Sequence, residues 1–207
     1  MPTWTRLGSS LVLVAAAFSW TFISRDFGTE RYALLLAVGM IFGFVGDLML
    51  AKVILSGKTA NLAGIAAFAV GHIFYITAIW QLGNALGLTT VAPLAGALIA
   101  WWLIAALGWY FVVFRGSKAT PLHWIVLFYA LLLSTTAGVA TGLALQEAAF
   151  WPLALGAALF LLSDTLIGGN WFNELDFPLI HDLIWLTYGP AQMLIVFSAG
   201  VAVQLSL

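Results

Sequence analysis

Seven long apolar stretches, separated by short runs of charged and turn-forming residues, divide this sequence. Within each stretch the apolar residues are continuous, whereas the strands of a membrane barrel alternate apolar and polar residues. A helix needs about 20 apolar residues to cross the hydrocarbon layer. The pattern therefore predicts a bundle of about seven transmembrane helices, with an eighth span inside the long fourth stretch as the alternative count. The expected helices are 7–24, 31–51, 61–82, 89–114, 121–143, 149–169 and 180–204.

Composition supports this prediction. Hydrophobic residues make up 63% of the chain and charged residues 7%, against roughly 25% charged residues in soluble domains. We expect an all-α integral membrane protein in which residues 1–207 form a single transmembrane helical domain. The first stretch follows Arg6 and has the length of a signal sequence, but no cleavage pattern leads into a soluble chain, so it is predicted to be an uncleaved helix.

Charge and cysteine content exclude several functions. The net charge is −1 without a basic run, so no nucleic-acid partner is expected. The absence of cysteine excludes disulfides, thiolate metal sites and cysteine nucleophiles. Basic residues favour cytoplasmic loops, and five of the seven fall on the side of the N-terminus. We therefore predict a cytoplasmic N-terminus and a bacterial inner membrane location. The five are Arg6, Lys52, Lys58, Arg115 and Lys118, and the other two are Arg25 and Arg31.

Two acidic residues fall inside predicted membrane helices. Asp47 lies in GDLML of the second helix, and Asp164 lies in FLLSDTLIGG of the sixth. A charged group in hydrocarbon costs roughly 2.5–3.5 kcal/mol on insertion scales, so such residues usually face the bundle interior and serve a function. Each is predicted about five residues before its helix end, very roughly 7 Å inside the boundary. At a common depth, the two carboxyl groups are expected to share one cavity.

The third and seventh helices carry further polar residues. In FAVGHIFYI, the spacing of Phe68, His72 and Tyr75 places them on one helical face. In TYGPAQMLI, Tyr188 and Gln192 are one turn apart, and Pro190 between them is expected to kink the helix.

Each of these residues also has a structural interpretation. The aspartates would then be held by hydrogen bonds to neighbouring helices, His72 by packing, and the tyrosines and glutamine by interhelical hydrogen bonds. We expect Ser163 to bond a backbone carbonyl or its neighbour. His123 and His181 are interpreted as interface positions at the starts of the fifth and seventh helices.

Taken in order, GDLML, FAVGHIFYI, GAALFLLSDTLIG and TYGPAQMLI resemble the signature blocks of the lysoplasmalogenase family, the YhhN-like membrane proteins. The resemblance covers about residues 43–80 and 156–195. It implies a hydrolase that cleaves the vinyl ether bond of a lysoplasmalogen, releasing a fatty aldehyde and glycerophospho-ethanolamine or -choline. It places the paired acidic residues at Asp47 and Asp164. The other polar positions of the family fall on His72, Tyr75, Tyr188 and Gln192.

Vinyl ether hydrolysis needs a proton donor, a stabilising negative charge and a positioned water. Burial and a neighbouring carboxylate favour the protonated form of one member of a carboxyl pair, as in two-carboxylate glycosidases. Our hypothesis is that Asp47 and Asp164 divide the two roles, while His72 orients water or relays a proton. Tyr75, Tyr188 and Gln192 would bind the substrate. The expected partners are a lysophospholipid and the lipid bilayer, with no cofactor and no metal.

Other functions compete with this hypothesis. A proton-coupled transporter also uses intramembrane Asp and His residues, but the sequence has no inverted repeat. A metal-dependent membrane lipid hydrolase would need His72, His123 or His181 to join an aspartate around zinc. A retinal protein is disfavoured because no lysine follows Lys118. A purely structural role for the protein would not explain the two carboxyl groups inside the membrane.

Overall fold

The computed structural model describes residues 2–116 and 118–207, and in these ranges it contains seven long helices and no β-strand. A short 3-10 turn at Ser24–Phe27 follows the first helix, and another at Ala148–Phe150 precedes the sixth. A π-helical segment, Trp109–Phe114, continues the fourth helix. The seven are α1 (Thr3–Ile23), α2 (Glu30–Leu50), α3 (Gly57–Ala85), α4 (Val91–Gly108), α5 (Pro121–Ala144), α6 (Trp151–Asn173) and α7 (Ile180–Gln204).

All seven helices are long and apolar enough to cross a membrane. The fourth stretch is one span, Val91–Phe114, rather than two. Large apolar side chains are exposed along the helices, for example Val12, Ile99 and Phe128, as expected for surfaces that face lipid. The chain is an all-α integral membrane protein, which confirms the predicted fold class.

The helices divide into two compact units. The first unit, called unit 1, contains α1, α2, α3 and Gln192–Leu207. The second, called unit 2, is Thr90–Ala191. Helix α7 therefore contributes its first part to unit 2 and its second part to unit 1. A single transmembrane domain over the whole chain stays a prediction.

In unit 1, glycines let α2 and α3 approach closely. A Cβ atom at Gly39 would collide with the ring of Tyr75, and one at Gly71 would lie 3.0 Å from the carbonyl oxygen of Gly39. Small residues at a helix contact allow the backbones to meet, which is how membrane helices gain packing energy without a hydrophobic driving force between them. The hydroxyl groups of Tyr32 and Ser198 form a buried hydrogen bond of 2.6 Å that links α2 to the end of α7.

In unit 2, glycines of α5 serve the same purpose against α4. A Cβ atom at Gly138 would lie 2.7 Å from Leu98 Cδ2, and one at Gly142 would lie 2.9 Å from Leu94 Cα. These contacts bring the α5 backbone close to α4. Unit 2 is thus packed through small residues on one face of α5.

Helix α5 begins with a cap made by its own first turn. The buried ring of His123 accepts a hydrogen bond from the Thr120 backbone N–H at Nδ1, over 3.1 Å, and the Thr120 side chain caps the His123 backbone N–H. Pro121 occupies the first turn, where no intrahelical donor is needed. His123 is therefore a helix-capping residue, which explains a histidine at the end of an apolar segment.

Candidate functional site

The first intramembrane carboxyl group belongs to Asp47, which is partly buried three residues before the end of α2. Its Oδ2 atom accepts a hydrogen bond of 2.5 Å from the hydroxyl of Ser10 on α1. Ser10 is itself buried. A hydroxyl donor stabilises a carboxyl group that has lost part of its hydration, so α1 holds Asp47 in place.

A second polar pair lies in the same unit. The hydroxyl of Tyr75 on α3 donates a hydrogen bond of 2.8 Å to Oε1 of Gln192, and both side chains are fully buried. The Tyr75 hydroxyl also lies 3.9 Å from Sδ of Met40. Asp47 interacts electrostatically with Tyr75. Helices α1, α2 and α3 and the second part of α7 therefore all contribute polar side chains to this group.

His72 lies one turn before Tyr75 on α3. The two rings meet edge to face, with their centroids 5.6 Å apart. Phe68, His72 and Tyr75 are all buried, which agrees with the prediction that they share one helical face. We call Ser10, Asp47, His72, Tyr75 and Gln192 the Asp47 cluster.

Asp164 is held in a comparable way in unit 2. The hydroxyl of Tyr129 on α5 donates a short hydrogen bond to Oδ2 of Asp164 on α6. Beside this pair is a cavity of about 30 Å³, lined by both residues, by Trp109 and Thr165, and by apolar side chains of α4, α5 and α6. We call Trp109, Tyr129, Asp164 and Thr165 the Asp164 cluster.

Tyr188 is buried in unit 2 between two aromatic rings. Its ring centroid lies 5.2 Å from that of Phe160 and 5.3 Å from that of Trp185. Nearby, Ser163 donates a hydrogen bond of 3.1 Å to the carbonyl oxygen of Ile184, which ties α6 to α7. This confirms the prediction that Ser163 bonds a backbone carbonyl.

The family model described as the YhhN family matches residues 5–199. The chain belongs to the YhhN family. It is 32% identical over 188 aligned residues to lysoplasmalogenase TMEM86B of Homo sapiens. That alignment covers 91% of this chain and 71% of the human protein. It is also 32% identical over 148 aligned residues to lysoplasmalogenase TMEM86B of Sus scrofa. That alignment covers 70% of this chain and 57% of the Sus scrofa protein. No solved structure matches the chain.

Family membership confirms the resemblance drawn from the four sequence blocks. Two of the details expected for this YhhN-family chain are wrong. Helix α6 continues to Asn173 instead of ending at 169, so Asp164 lies nine residues before its helix end, whereas Asp47 lies three residues before its own. The two aspartates therefore do not lie equally far from their helix ends, and the reason for predicting a common depth no longer holds. A shared cavity for the two carboxyl groups stays a prediction.

The sequence predicts the candidate site residues on the second, third, sixth and seventh helices, but the other three also contribute side chains. Helix α1 supplies Ser10, α5 supplies Tyr129, and the π-helical segment after α4 supplies Trp109 to the cavity. The sequence carries no distinct signal for Ser10 or Tyr129, because α1 also contains Ser9 and α5 also contains Ser134 and Thr135. The partner of either hydroxyl is not apparent either, because the sequence does not show which helix faces which.

Metal ligation was the basis of one competing hypothesis. Within the described residues of this YhhN-family chain, no group of three or more His, Cys, Asp or Glu side chains is arranged to hold a metal ion. His123 uses its Nδ1 atom to cap α5. The donor set that a zinc hydrolase requires is therefore not assembled by these side chains.

Proposed function

We propose that this YhhN-family chain hydrolyses the vinyl ether bond of lysoplasmalogens, releasing a fatty aldehyde and glycerophospho-ethanolamine or -choline. The two relatives named lysoplasmalogenase bear out the prediction of an ether-bond-cleaving hydrolase and imply a lipid substrate. Seven membrane-spanning helices suit such a substrate, since its alkenyl chain resides in the bilayer.

The observation that carries the proposed mechanism is that each of two intramembrane carboxyl groups is held by a hydroxyl from a neighbouring helix of its own unit. Such groups are costly in a membrane and usually functional. Hydroxyl donors fix the carboxyl orientation, which general acid and base catalysis requires. We therefore assign catalysis to Asp47 and Asp164.

The reaction begins when one carboxyl group donates a proton to the β-carbon of the vinyl ether. The π electrons form the new C–H bond, and the α-carbon becomes an oxocarbenium ion that the ionised carboxylate stabilises, as in two-carboxylate glycosidases. Water adds to the α-carbon and loses a proton, giving a hemiacetal. The hemiacetal hydroxyl then loses its proton and its oxygen forms the aldehyde C=O bond. At the same time the bond to the glycerol oxygen breaks, and that oxygen takes a proton.

The remaining polar residues complete the assignment. His72 would orient water or relay a proton, since it is buried on the same helical face as Tyr75. The hydrogen-bonded pair of Tyr75 and Gln192, and the aromatic wall around Tyr188, would position the glycerophosphate backbone and the alkenyl chain. These roles need no cofactor.

Asparagine substitution tests the catalytic assignment. Asp47→Asn and Asp164→Asn keep the shape of each side chain but remove its proton chemistry, so each is expected to lower aldehyde release at least 100-fold. Asp176→Asn, at an exposed position between α6 and α7, is the matched control and should retain activity. Membrane-inserted protein is quantified for each variant, and aldehyde is measured with purified lysoplasmalogen. More than about a tenth of the original activity in either variant would contradict the assignment.

A further inference from the structure

The cavity beside Asp164 has the size and chemistry of a water site. Its volume of about 30 Å³ exceeds the roughly 10–15 Å³ that one water molecule requires. A buried water also needs two to four polar partners. Asp164, Tyr129 and Thr165 line the cavity, and each carries an oxygen atom able to accept a hydrogen bond from water.

The existing hydrogen bonds leave these oxygens suited to that purpose. Tyr129 donates its hydroxyl hydrogen to Oδ2 of Asp164, so in a hydrogen bond with water its oxygen would be the acceptor. Thr165 donates to the carbonyl oxygen of Leu161 over 2.8 Å, so its oxygen is likewise an acceptor. Trp109 donates its indole N–H to the carbonyl oxygen of His123, so it contributes its ring to the wall of the cavity. Tyr129 therefore fixes the orientation of the Asp164 carboxyl group.

We infer that this cavity holds the water consumed in the reaction, that Asp164 is the base that deprotonates it, and that Tyr129 is the positioning residue that orients Asp164. This inference rests on the proposed function. In the step, a lone pair of the water oxygen forms the bond to the oxocarbenium carbon, and the C=O π pair returns to the ether oxygen. One water proton passes to the Asp164 carboxylate. The proton on Asp164 passes to the glycerol oxygen when the hemiacetal collapses, which regenerates the carboxylate. Proton donation to the vinyl ether is thereby left to Asp47, which regains through solvent the proton released by the hemiacetal hydroxyl.

Tyr129→Phe is the first test. It removes the hydroxyl and keeps the ring, so kcat for lysoplasmalogen is expected to fall about 10- to 100-fold, the range expected for the loss of a hydrogen bond to a charged group. KM should stay within about twofold, since the water site contributes nothing to lipid binding. Tyr110→Phe, on an exposed tyrosine of the π-helical segment, is the matched control and should leave both constants unchanged. An unchanged kcat, or a loss expressed in KM alone, would overturn the role of Tyr129.

Filling the cavity is the second test. Ala130 lines it, and Ala130→Leu adds three carbon atoms where the water is placed, so kcat should fall at least tenfold for substrates of short and long alkenyl chain alike. Ala100→Leu puts the same side chain on an exposed face of α4 and serves as control. If Ala130→Leu instead raises KM for long chains and spares kcat, the cavity holds lipid and the inference fails. Unfolding temperatures in detergent must match between the two leucine variants, and Ala130→Val replaces Ala130→Leu if they do not.

The outcome also separates this inference from the proposed function. Absence of aldehyde from lysoplasmalogen with the unsubstituted protein would remove the proposed function itself. Aldehyde release that depends on Asp164 but is indifferent to Tyr129→Phe and to the cavity-filling variant would remove the water site and leave the function in place.

Discussion

At the scale of single residues, this protein places its polar groups in the membrane as hydrogen-bonded pairs. Ser10 bonds Asp47, Tyr75 bonds Gln192, and Tyr129 bonds Asp164. An unpaired polar group in an apolar interior costs about 1–3 kcal/mol, whereas a satisfied pair is close to neutral. The structural and functional interpretations of these residues are therefore compatible, because a group must first be held before it can act on a substrate.

The buried pair of Tyr75 and Gln192 allows a test of this argument about the free energy of buried polar groups. Gln192→Leu removes the acceptor of the Tyr75 hydroxyl, and we expect it to lower the free energy of unfolding by about 1–3 kcal/mol. Adding Tyr75→Phe in the same chain removes the orphaned hydroxyl and should recover most of that loss. The free energies are measured by reversible denaturation in detergent micelles. A double variant that is less stable than Gln192→Leu alone would contradict the account.

At the scale of helices, the apolar pattern predicts more of the fold than of the site. Continuous apolar runs and turn residues determine the number of spans, and the bounds of α5 and α7 agree with the prediction to within one residue. Helix α6 was predicted four residues short because Asn170 and Asn173 resemble the start of a loop. In the structure their side chains bond the backbone carbonyls of Leu175 and Val112, so the helix continues.

The partners of the two carboxyl groups were beyond prediction for a physical reason. Hydrophobic periodicity identifies a helix face when one side meets water, but in a bilayer both sides are apolar. The sequence therefore does not distinguish the face of α5 that carries Tyr129 from its lipid-facing side. Tyr75 was predicted as a site residue through its spacing from His72, whereas Ser10 and Tyr129 each stand on a helix with no other polar group of the site.

The close contact of α2 and α3 gives a prediction at this scale. Gly39→Ala places a methyl group against the Tyr75 ring, and overpacking of this kind costs about 1–3 kcal/mol. It should also displace Tyr75 from Gln192 and reduce aldehyde release. Gly8→Ala is the matched control, since a Cβ atom there meets nothing within 4 Å; alanine in a helix is about 0.5–1 kcal/mol more favourable than glycine. Equal unfolding temperatures for the two variants would contradict the packing argument.

At the scale of the whole molecule, the distribution of basic residues predicts the orientation in the membrane. With seven spans, the segment between α2 and α3 carries Lys52 and Lys58 and is proposed to face the cytoplasm, together with the N-terminus. The segment between α3 and α4 contains no basic residue and is proposed to lie outside.

Because the chain has no cysteine, introduced thiols report this orientation without background. Lys58 and Thr89 are exposed and lie near the two ends of α3, so the variants Lys58→Cys and Thr89→Cys are suitable for labelling. A membrane-impermeant thiol reagent added to intact cells is expected to label Thr89→Cys at once and Lys58→Cys after lysis. The reverse order of labelling would place the N-terminus outside.

The most direct test of the central claim compares two substrates that differ in one bond. Detergent-purified protein is incubated with a lysoplasmalogen and with the ester-linked lysophospholipid of the same head group and chain length, and fatty aldehyde and fatty acid are measured separately. The proposed chemistry predicts aldehyde from the vinyl ether, no fatty acid from the ester, and loss of the aldehyde in Asp47→Asn and Asp164→Asn. Fatty acid from the ester, or no aldehyde from the vinyl ether, would contradict it.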